Sequence, residues 1–330
     1  MYDYDDFSII PAITSNIRSR SEITIDEDGF YPLITAPMDT VIDDNNKDIF
    51  RNNKIRLCLS RGMWGNNKYG EFESISLEDA ETLSFTKSNK KDLFCIDIAN
   101  GHMDLLLTII ENFKIKRPHT KLIVGNIANP ETFRVIANIG VWGVRVGIGG
   151  GNACTTSANA AIHYPLGSLI EECGKIKEQE GFETRIIADG GIKKFSDIIK
   201  ALALGADIVM IGSLFNKSIE SAGKTYLYKK IGLKNKKLIK FLLKHKLPLY
   251  KKYRGMSTKA VQKKWGRKKL RTSEGVEKWN RVEYSLSTWT DNFSDYLRSA
   301  MSYTNSRNLR EFKKSKKIII SERAFNRFNK

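Results

Sequence analysis

Short apolar runs recur along the chain, separated by stretches with helical periodicity. Continuous apolar runs, rather than alternating ones, are typical of parallel strands that are buried on both faces of a sheet. Seven such runs are clear, and a weaker eighth lies between the second and third of them. The predicted strands are Leu33–Ala36, Ile55–Leu59, Glu71–Ile75, Leu93–Ile98, Leu122–Gly125, Val141–Gly147, Arg185–Ala188 and Ile208–Ile211.

Helical periodicity is clearest at Met103–Phe113, Pro130–Ile139 and Phe195–Leu204. Alternation of strands and helices predicts an α/β fold with a parallel sheet, and eight strands favour a (β/α)8 TIM barrel. The pattern alone leaves a doubly wound sheet open. A chain of 330 residues with 41% apolar content is large enough for one such domain.

Polar and glycine-rich motifs follow the predicted strands at their C-terminal ends, where barrel enzymes build their active sites. Cys154 lies on the glycine-rich loop after the predicted strand Val141–Gly147. A thiol on a loop of bare backbone suits a covalent nucleophile, although a single cysteine is more often a small core residue. The motifs are PMDT, DIANG, GNIAN, GIGGGNACTT, DGG and GS.

The four cysteines are widely spaced and form no CxxC pair, which predicts reduced thiols in a cytosol-like compartment. No run of about 18 apolar residues is present, so no membrane span is expected. The N-terminal stretch MYDYDDFSII is acidic and has no features of a signal peptide. We therefore expect a cytoplasmic protein.

The net charge of +18 is concentrated in one part of the chain. Residues 224–273, hereafter the basic segment, contain nineteen Lys and Arg and no Asp or Glu, which leaves 36 basic against 37 acidic residues elsewhere. Three interpretations stay open: steering of anionic nucleotides, a nucleic-acid surface, and a basic amphipathic helix, KKLIKFLLKHKL, on a membrane or partner. We favour steering, with nucleic-acid binding weak at most.

Several blocks, in register along residues 1–312, resemble the GMP reductase and IMP dehydrogenase family. The blocks are ITAPMDTV (34–41), CIDIANGH (95–102), VGNIANPE (124–131), GVRVGIGGGNACTTS, IIADGGIKKFSDIIKALALGADIVMIGS (186–213), YRGMS (253–257), SEG (273–275) and YLRSAMSYTNSRNL (296–309). The resemblance favours the barrel over the doubly wound sheet. It also implies one barrel domain over residues 1–330, because the sequence between ISLEDAETL and CIDIANG leaves no room for the regulatory CBS domain of many family dehydrogenases.

The resemblance implies covalent chemistry at C2 of a purine nucleotide. In a reductase, GMP loses its amino group as ammonia and NADPH supplies the hydride that gives IMP. In a dehydrogenase, IMP is oxidised with NAD and the adduct is hydrolysed to XMP. Cys154 matches the nucleophile, and Thr156 and Glu274 match the groups that protonate the leaving ammonia.

The remaining site residues are also implied by the resemblance. Asp189 matches the acceptor of the two ribose hydroxyls, and the glycine and serine motifs match the phosphate site. The substrate-binding set is Met38, Asn152, Asp189, Gly190, Gly191, Gly212, Ser213, Tyr253, Gly255 and Met256. The cofactor-binding set is Asp97, Asn100, Gly101, Ser257, Arg271 and Ser273. Carbonyls of Gly149, Gly151 and Cys154 match a monovalent-cation site, which implies potassium.

We predict an NADPH-dependent GMP reductase, with IMP dehydrogenase as the alternative. The stretch after YRGMS has no Arg-Tyr pair of the kind that activates water in the dehydrogenases, and CTT and MS are typical of the reductases. A catalytically silent, nucleic-acid-binding homologue is a remote alternative. The family also implies a homotetramer.

Overall fold

The computed structural model describes residues 1–62, 71–150, 159–255, 258 and 276–328. The chain starts with a 3-10 turn, Tyr4–Asp6, and a short strand, β1 (Phe7–Ile9). Eight parallel strands then form the central sheet. They are β2 (Leu33–Thr35), β3 (Cys58–Leu59), β4 (Phe72–Ile75), β5 (Leu93–Asp97), β6 (Lys121–Ile127), β7 (Gly143–Val146), β8 (Arg185–Asp189) and β9 (Ile208–Ile211).

The sheet runs in the order β2-β9-β8-β7-β6-β5-β4-β3 and closes between its two end strands. The Thr35 amide donates to the Arg56 carbonyl at 3.0 Å, and the Arg56 amide donates to the Leu33 carbonyl at 3.1 Å. The α/β barrel and all eight predicted strands are confirmed. The predicted strand Ile55–Leu59 is shorter in the structure, where β3 covers only Cys58–Leu59. Residues 55–57 meet β2 through a single bridge at Arg56, and regular pairing with β4 begins at Cys58.

Helices alternate with the barrel strands, and the three predicted ones are present. The helix Pro130–Ile139 shows why its bounds could be predicted: the Asn129 side chain accepts from the Glu131 amide at 2.9 Å, and Gly140 ends the helix with a φ of 86°. The helices are Lys47–Asn52, Leu77–Ser84, Asp104–Lys116, Pro130–Ile139, Leu166–Glu180, Phe195–Leu204, Ser213–Asn216, Lys236–Lys244, Leu286–Tyr303, Leu309–Phe312 and Glu322–Phe328, with a further 3-10 turn at Arg20–Glu22.

Successive strand residues point alternately into the barrel and toward the helices. In β8, for example, Ile187 packs inside the barrel, whereas Ile186 and Ala188 pack in the larger core under the helices. The other residues that pack with Ile187 inside the barrel include Ile34, Cys58, Phe72, Cys95, Ile123, Ile208 and Met210.

The described part of the basic segment contributes three strands and a helix to a second, smaller sheet region, whose fourth strand follows the segment. Four antiparallel strands, which we call the outer sheet, pair in the order β11-β10-β12-β13. They are β10 (Thr225–Leu227), β11 (Ile231–Leu233), β12 (Leu249–Arg254) and β13 (Glu277–Arg281). A last strand, β14 (Lys317–Ile319), pairs with β1 away from this sheet.

The amphipathic helix considered for KKLIKFLLKHKL is present as Lys236–Lys244, and part of its apolar side packs within the protein, while Leu238 and Phe241 are exposed. Ile239 is buried in a cluster with Ile219, Leu249 and Val282. The lysines of this helix face solvent. Within the described ranges, no helix combines the length and the apolar character needed to cross a membrane.

The outer sheet is joined to the barrel through a fully buried side chain, Asn216. Its Nδ2 donates to the carbonyls of Thr40 at 2.8 Å and Lys252 at 3.2 Å, and its Oδ1 accepts from Asn280 at 2.9 Å. Lys251, on the same side of β12, is buried and donates to the carbonyls of Ile219 and Ser221. These bonds fix β12 against the loop that follows β2.

Candidate active site

The predicted site residues that the structure describes lie at the C-terminal end of the barrel. Asp97 ends β5, Asp189 ends β8, and Gly212 and Ser213 directly follow β9. Because the strands are parallel, these positions share one end of the sheet. Met38 follows β2 at the same end, and Tyr253 reaches it from the outer sheet.

An arginine inside the barrel links two of the predicted carboxylates. Arg145 projects from β7 and is only 7% exposed. Its Nη1 lies 2.5 Å from Asp97 Oδ1, and its Nη2 lies 2.8 Å from Asp189 Oδ2. Burial opposes the charge on Arg145, but the two carboxylates outweigh it and raise the pKa of the guanidinium well above its ordinary value.

The carboxylate of Asp189 uses one oxygen for this network. Oδ2 accepts from Arg145 Nε at 3.2 Å and Nη2 at 2.8 Å, and from Asn126 Nδ2 at 2.8 Å. Among the described residues, no donor reaches Oδ1. One oxygen is therefore held by the protein, and the other is left to accept from a ligand such as a ribose hydroxyl.

Asp97 is held in the charged form by two arginines. Burial disfavours its ionisation, but Arg145 and Arg61 outweigh that effect and lower the pKa of the carboxyl. Arg61 also donates to the Asp97 backbone carbonyl. A permanently ionised Asp97 suits a hydrogen-bond acceptor better than a general acid.

The DGG turn is in contact with the loop that leads to Cys154. The Gly191 amide donates to the Gly150 carbonyl at 2.7 Å. Gly147 has a φ of 131°, and a Cβ there would lie 2.3 Å from the Asp189 carbonyl oxygen, so the close approach requires glycine. The start of the predicted catalytic loop therefore packs on the predicted nucleotide clamp.

Met38, Gly212 and Tyr253 meet in one contact. The Tyr253 hydroxyl lies 3.4 Å from Met38 Sδ. A Cβ on Gly212 would lie 2.6 Å from that hydroxyl and 3.2 Å from Met38 Sδ. Burial raises the pKa of Tyr253 above its ordinary value, so its hydroxyl stays protonated. The three residues predicted to contact substrate are thus brought together by three different elements.

The loop after β5 is fixed by His102. Its Nε2 accepts from the Ala128 amide at 3.1 Å, and its Nδ1 lies 2.8 Å from Thr132 Oγ1. Desolvation lowers the pKa of this imidazole, which agrees with the neutral form that the Ala128 contact needs. Of the two predicted cofactor residues on this loop, Asn100 is exposed and Gly101 is buried against the Asn126 carbonyl.

Three cysteines outside the predicted catalytic loop, Cys58, Cys95 and Cys173, are buried free thiols. Burial raises the pKa of Cys58 and of Cys173, which makes both poor nucleophiles.

Gly190 follows Asp189 with a φ of 107°, and the Gly255 carbonyl accepts from the Thr258 amide. The other predicted site residues lie outside the described residues: Gly151, Asn152, Cys154, Thr156, Met256, Ser257, Arg271, Ser273 and Glu274.

Two residues of this site, Arg145 and Asn126, were not predicted from the sequence. Both lie in blocks that carry the family resemblance, where the pattern indicates only a strand and a loop. The available signal was strand alternation: Val144 and Val146 point to the helices, so the charged residue between them has to point into the barrel. A buried arginine there needs carboxylate partners at the same level.

Comparison with known proteins agrees with this geometry. Residues 74–327 match the family model described as IMP dehydrogenase / GMP reductase domain. The chain is similar to an inosine-5'-monophosphate dehydrogenase of Chlorobaculum parvum, 34% identical over 96% of this chain and 61% of that protein. It thus spans less than two thirds of that relative's length.

Further relatives of this chain are GMP reductases. A GMP reductase of Streptococcus pneumoniae is 31% identical over 68% of this chain and 73% of its own. A GMP reductase of Helicobacter pylori is 29% identical over 99% of this chain and 98% of its own. With the matched domain, the barrel and the clustered strand-end motifs, these similarities identify the chain as a member of the IMP dehydrogenase / GMP reductase family of oxidoreductases.

Proposed function

We propose that this protein is a GMP reductase, which converts GMP to IMP and ammonia with NADPH as the reductant. The observation that carries the proposal is the arrangement at Asp189, where Oδ2 is held by Arg145 and Asn126 and Oδ1 has no donor among the described residues. A clamped carboxylate with one available oxygen is what recognition of a nucleotide ribose requires.

The substrate would lie across the mouth of the barrel. Its ribose would bind Asp189, its phosphate would lie near Gly190, Gly191, Gly212 and Ser213, and its base would lie over Met38. Gly191 donates to Gly150 in this structure, so a phosphate at the turn would compete with the catalytic loop for that amide. Tyr253 closes the other side of the same space.

The proposed reaction passes through a covalent adduct. The Cys154 thiolate adds to C2 of GMP, and the 2-amino group leaves as ammonia once Thr156 and Glu274 have protonated it. NADPH, when bound, would supply the hydride that replaces sulfur at C2, and the thiolate would then be released with IMP.

The cofactor would bind on the β5 side of the mouth. Asp97 and Asn100 lie there, and Asp97 is a fixed, ionised acceptor. Ser257, Arg271 and Ser273 complete the proposed set. We also propose that carbonyls of Gly149, Gly151 and Cys154 hold potassium.

IMP dehydrogenase is the second candidate, favoured by the 34% identity to the Chlorobaculum protein over 96% of this chain. The reductase is favoured by the similarity to the Helicobacter GMP reductase, which aligns with 99% of this chain. We propose a single barrel domain over residues 1–330, assembled as a cytoplasmic homotetramer. The exposed lysines of the basic segment would steer anionic nucleotides toward the mouth.

The deciding experiment uses purified protein and both substrate pairs. With GMP and NADPH we expect loss of the NADPH absorbance together with equimolar IMP and ammonia. Reduction of NAD with IMP, and formation of XMP, would instead assign the dehydrogenase. Turnover in neither mixture, with GMP binding retained, would favour a silent homologue.

A further inference from the structure

The outer sheet has two different faces because residues alternate along its strands. On β12, Leu249, Lys251 and Tyr253 are buried toward the barrel, whereas Tyr250, Lys252 and Arg254 lie on the opposite side. Pairing places Tyr226 of β10 opposite Tyr250, and Trp279 of β13 opposite Lys252. We call the side with Tyr226, Tyr250, Lys252 and Trp279 the aromatic face.

Each of the three rings on this face has a lysine above it. Lys224 Nζ lies 5.5 Å from the Tyr226 ring centroid, Lys229 Nζ lies 4.9 Å from that of Tyr250, and Lys252 Nζ lies 5.4 Å from that of Trp279. The Tyr226 and Trp279 rings meet edge to face across β12 at 5.2 Å. All three rings are partly exposed.

The face carries an excess of positive charge. Its acidic neighbours are engaged: Glu277 pairs with Lys252 at 2.7 Å, and Asp39 pairs with Arg254 at 2.5 Å. Among the described residues, no carboxylate pairs with Lys224, Lys229 or Arg281. Arg281 continues the same face, because it lies opposite Tyr250.

A cleft of about 170 Å³ opens between this face and the loop after β2. It is lined on the side of the sheet by Lys224, Tyr226, Lys252, Arg254 and Glu277, and on the side of the loop by Asp39 and Thr40. The Thr40 hydroxyl oxygen is buried and has no hydrogen-bond partner in the described part of the chain. Both carboxylates of the cleft are ion-paired, so Lys224 is its one cation without a carboxylate partner among the described residues.

We propose that the aromatic face binds single-stranded nucleic acid, with bases against the rings and phosphates against the lysines. Interleaved rings and cations on an open antiparallel sheet are the elements that single strands need, because every base has a face that can stack. A duplex keeps its bases stacked internally and would meet only the charges. A membrane surface needs a contiguous apolar face, whereas this face carries Lys252, Arg254 and Arg281 among its rings.

The aromatic face belongs to the same basic segment whose exposed lysines are proposed to steer nucleotides. The solvent-facing lysines of the helix Lys236–Lys244 carry comparable charge but belong to the opposite side of the sheet, where Ile239 packs on Leu249. The helix therefore supplies a matched control within the same basic segment. It tests whether rings and charge act together or charge acts alone.

The test is fluorescence anisotropy of a labelled oligothymidylate of about 12 nucleotides, titrated with the full chain at low salt. We expect a dissociation constant on the order of micromolar that weakens steeply as salt rises. Trp279→Ala should weaken binding about tenfold, and Tyr226→Ala should do the same. Tyr226→Phe should bind like the wild type, because it keeps the ring.

Two comparisons can overturn the proposal. Equal binding of a duplex of the same length would mean that charge alone acts. The same conclusion follows if Lys236→Gln with Lys240→Gln weakens the single strand as much as Trp279→Ala does. Thermal unfolding and GMP binding of each variant verify that the barrel is intact, so that a weakened interaction reports on the aromatic face.

Discussion

The guanidinium of Arg145 is bonded to Asp189 through two nitrogens, Nε at 3.2 Å and Nη2 at 2.8 Å from the same carboxylate oxygen. Its third nitrogen lies 2.5 Å from Asp97. One side chain inside the barrel thus orients the proposed ribose acceptor and a proposed cofactor residue together. Arg145 is therefore a charged bridge between the proposed substrate site and the proposed cofactor site.

Removal of Arg145 should be costly because it leaves two carboxylates without their cation. For Arg145→Met we expect a loss of about 3–5 kcal/mol in the free energy of unfolding at neutral pH, measured by urea denaturation. The difference in unfolding free energy between wild type and variant should shrink in acid. The pKa of Asp97 is lowered in the wild type, so the ionised carboxylate stabilises the fold above the ordinary carboxyl pKa. That stabilisation is lost as the pH falls through the lowered pKa.

The matched control for that substitution is Arg134→Met. Arg134 also contacts two carboxylates, those of Glu131 and Glu180, but it is 39% exposed. We expect a change of at most about 1 kcal/mol. Similar losses for the two variants would contradict a special role for the buried bridge.

Asp189→Ala should weaken GMP binding by about 2–4 kcal/mol, because it removes the charged acceptor proposed for the ribose hydroxyls. Isothermal titration calorimetry measures this directly. Asp207→Ala is the control: Asp207 is also ion-paired, to Lys177 and Lys313, but it lies at the N-terminal end of the barrel, just before β9. It should lower stability and leave GMP affinity unchanged. An unchanged affinity for Asp189→Ala would show that the DGG turn is merely structural.

Gly212→Ala should impair nucleotide binding through a steric conflict. The added Cβ would lie 2.6 Å from the Tyr253 hydroxyl, so the tyrosine has to move from Met38. We expect the Michaelis constant for GMP to rise by about tenfold or more. In a Tyr253→Phe background the conflicting oxygen is absent, and Gly212→Ala should then cost much less. An equal cost in both backgrounds would exclude the hydroxyl as the cause.

Cys154→Ala should abolish turnover while GMP still binds, since ribose and phosphate are held elsewhere. Rapid-quench assays and calorimetry on the same preparation separate the two effects. Ala at Cys58, Cys95 or Cys173 should leave turnover in place, because these thiols are buried. Residual activity of Cys154→Ala above about one per cent of wild type would argue against covalent catalysis.

Stability should rise with pH because of Lys251. Burial lowers the pKa of this lysine from 10.5 to about 7, against the attraction of Glu220 and Asp43. Between these values the unfolded chain holds a proton that the folded chain has released, so the free energy of unfolding increases with pH, by at most about 1.4 kcal/mol per unit.

Lys251→Met removes this titration, and its free energy of unfolding should rise less than that of the wild type between pH 7 and 10. Lys252→Met is the control, since that neighbour is 46% exposed in its side chain. A parallel pH dependence for wild type and Lys251→Met would mean that the buried amine keeps its proton throughout.

The barrel could be predicted from sequence because its strands are continuous apolar runs that carry their own local signal. Asp189 and Gly212 were found through motifs at strand ends. Arg145 was not, because its role depends on Asp97 and Asp189, which are 48 and 44 positions away along the chain. The outer sheet was not predicted for a similar reason. Its sequence stretches, such as YLYKK and YKKYR, show mainly positive charge, and which of their side chains is buried depends on the strands that pair with them.

The alternation of β12 has a consequence for how this protein can diverge. Lys251 and Tyr253 are constrained by the barrel, whereas the side chains of Tyr250 and Lys252 on the same six-residue strand contact Lys229, Glu277 and Trp279. Substitutions can therefore accumulate at every second position without disturbing the positions between them. A lineage could gain, change or lose a surface property here while inheriting the enzyme intact.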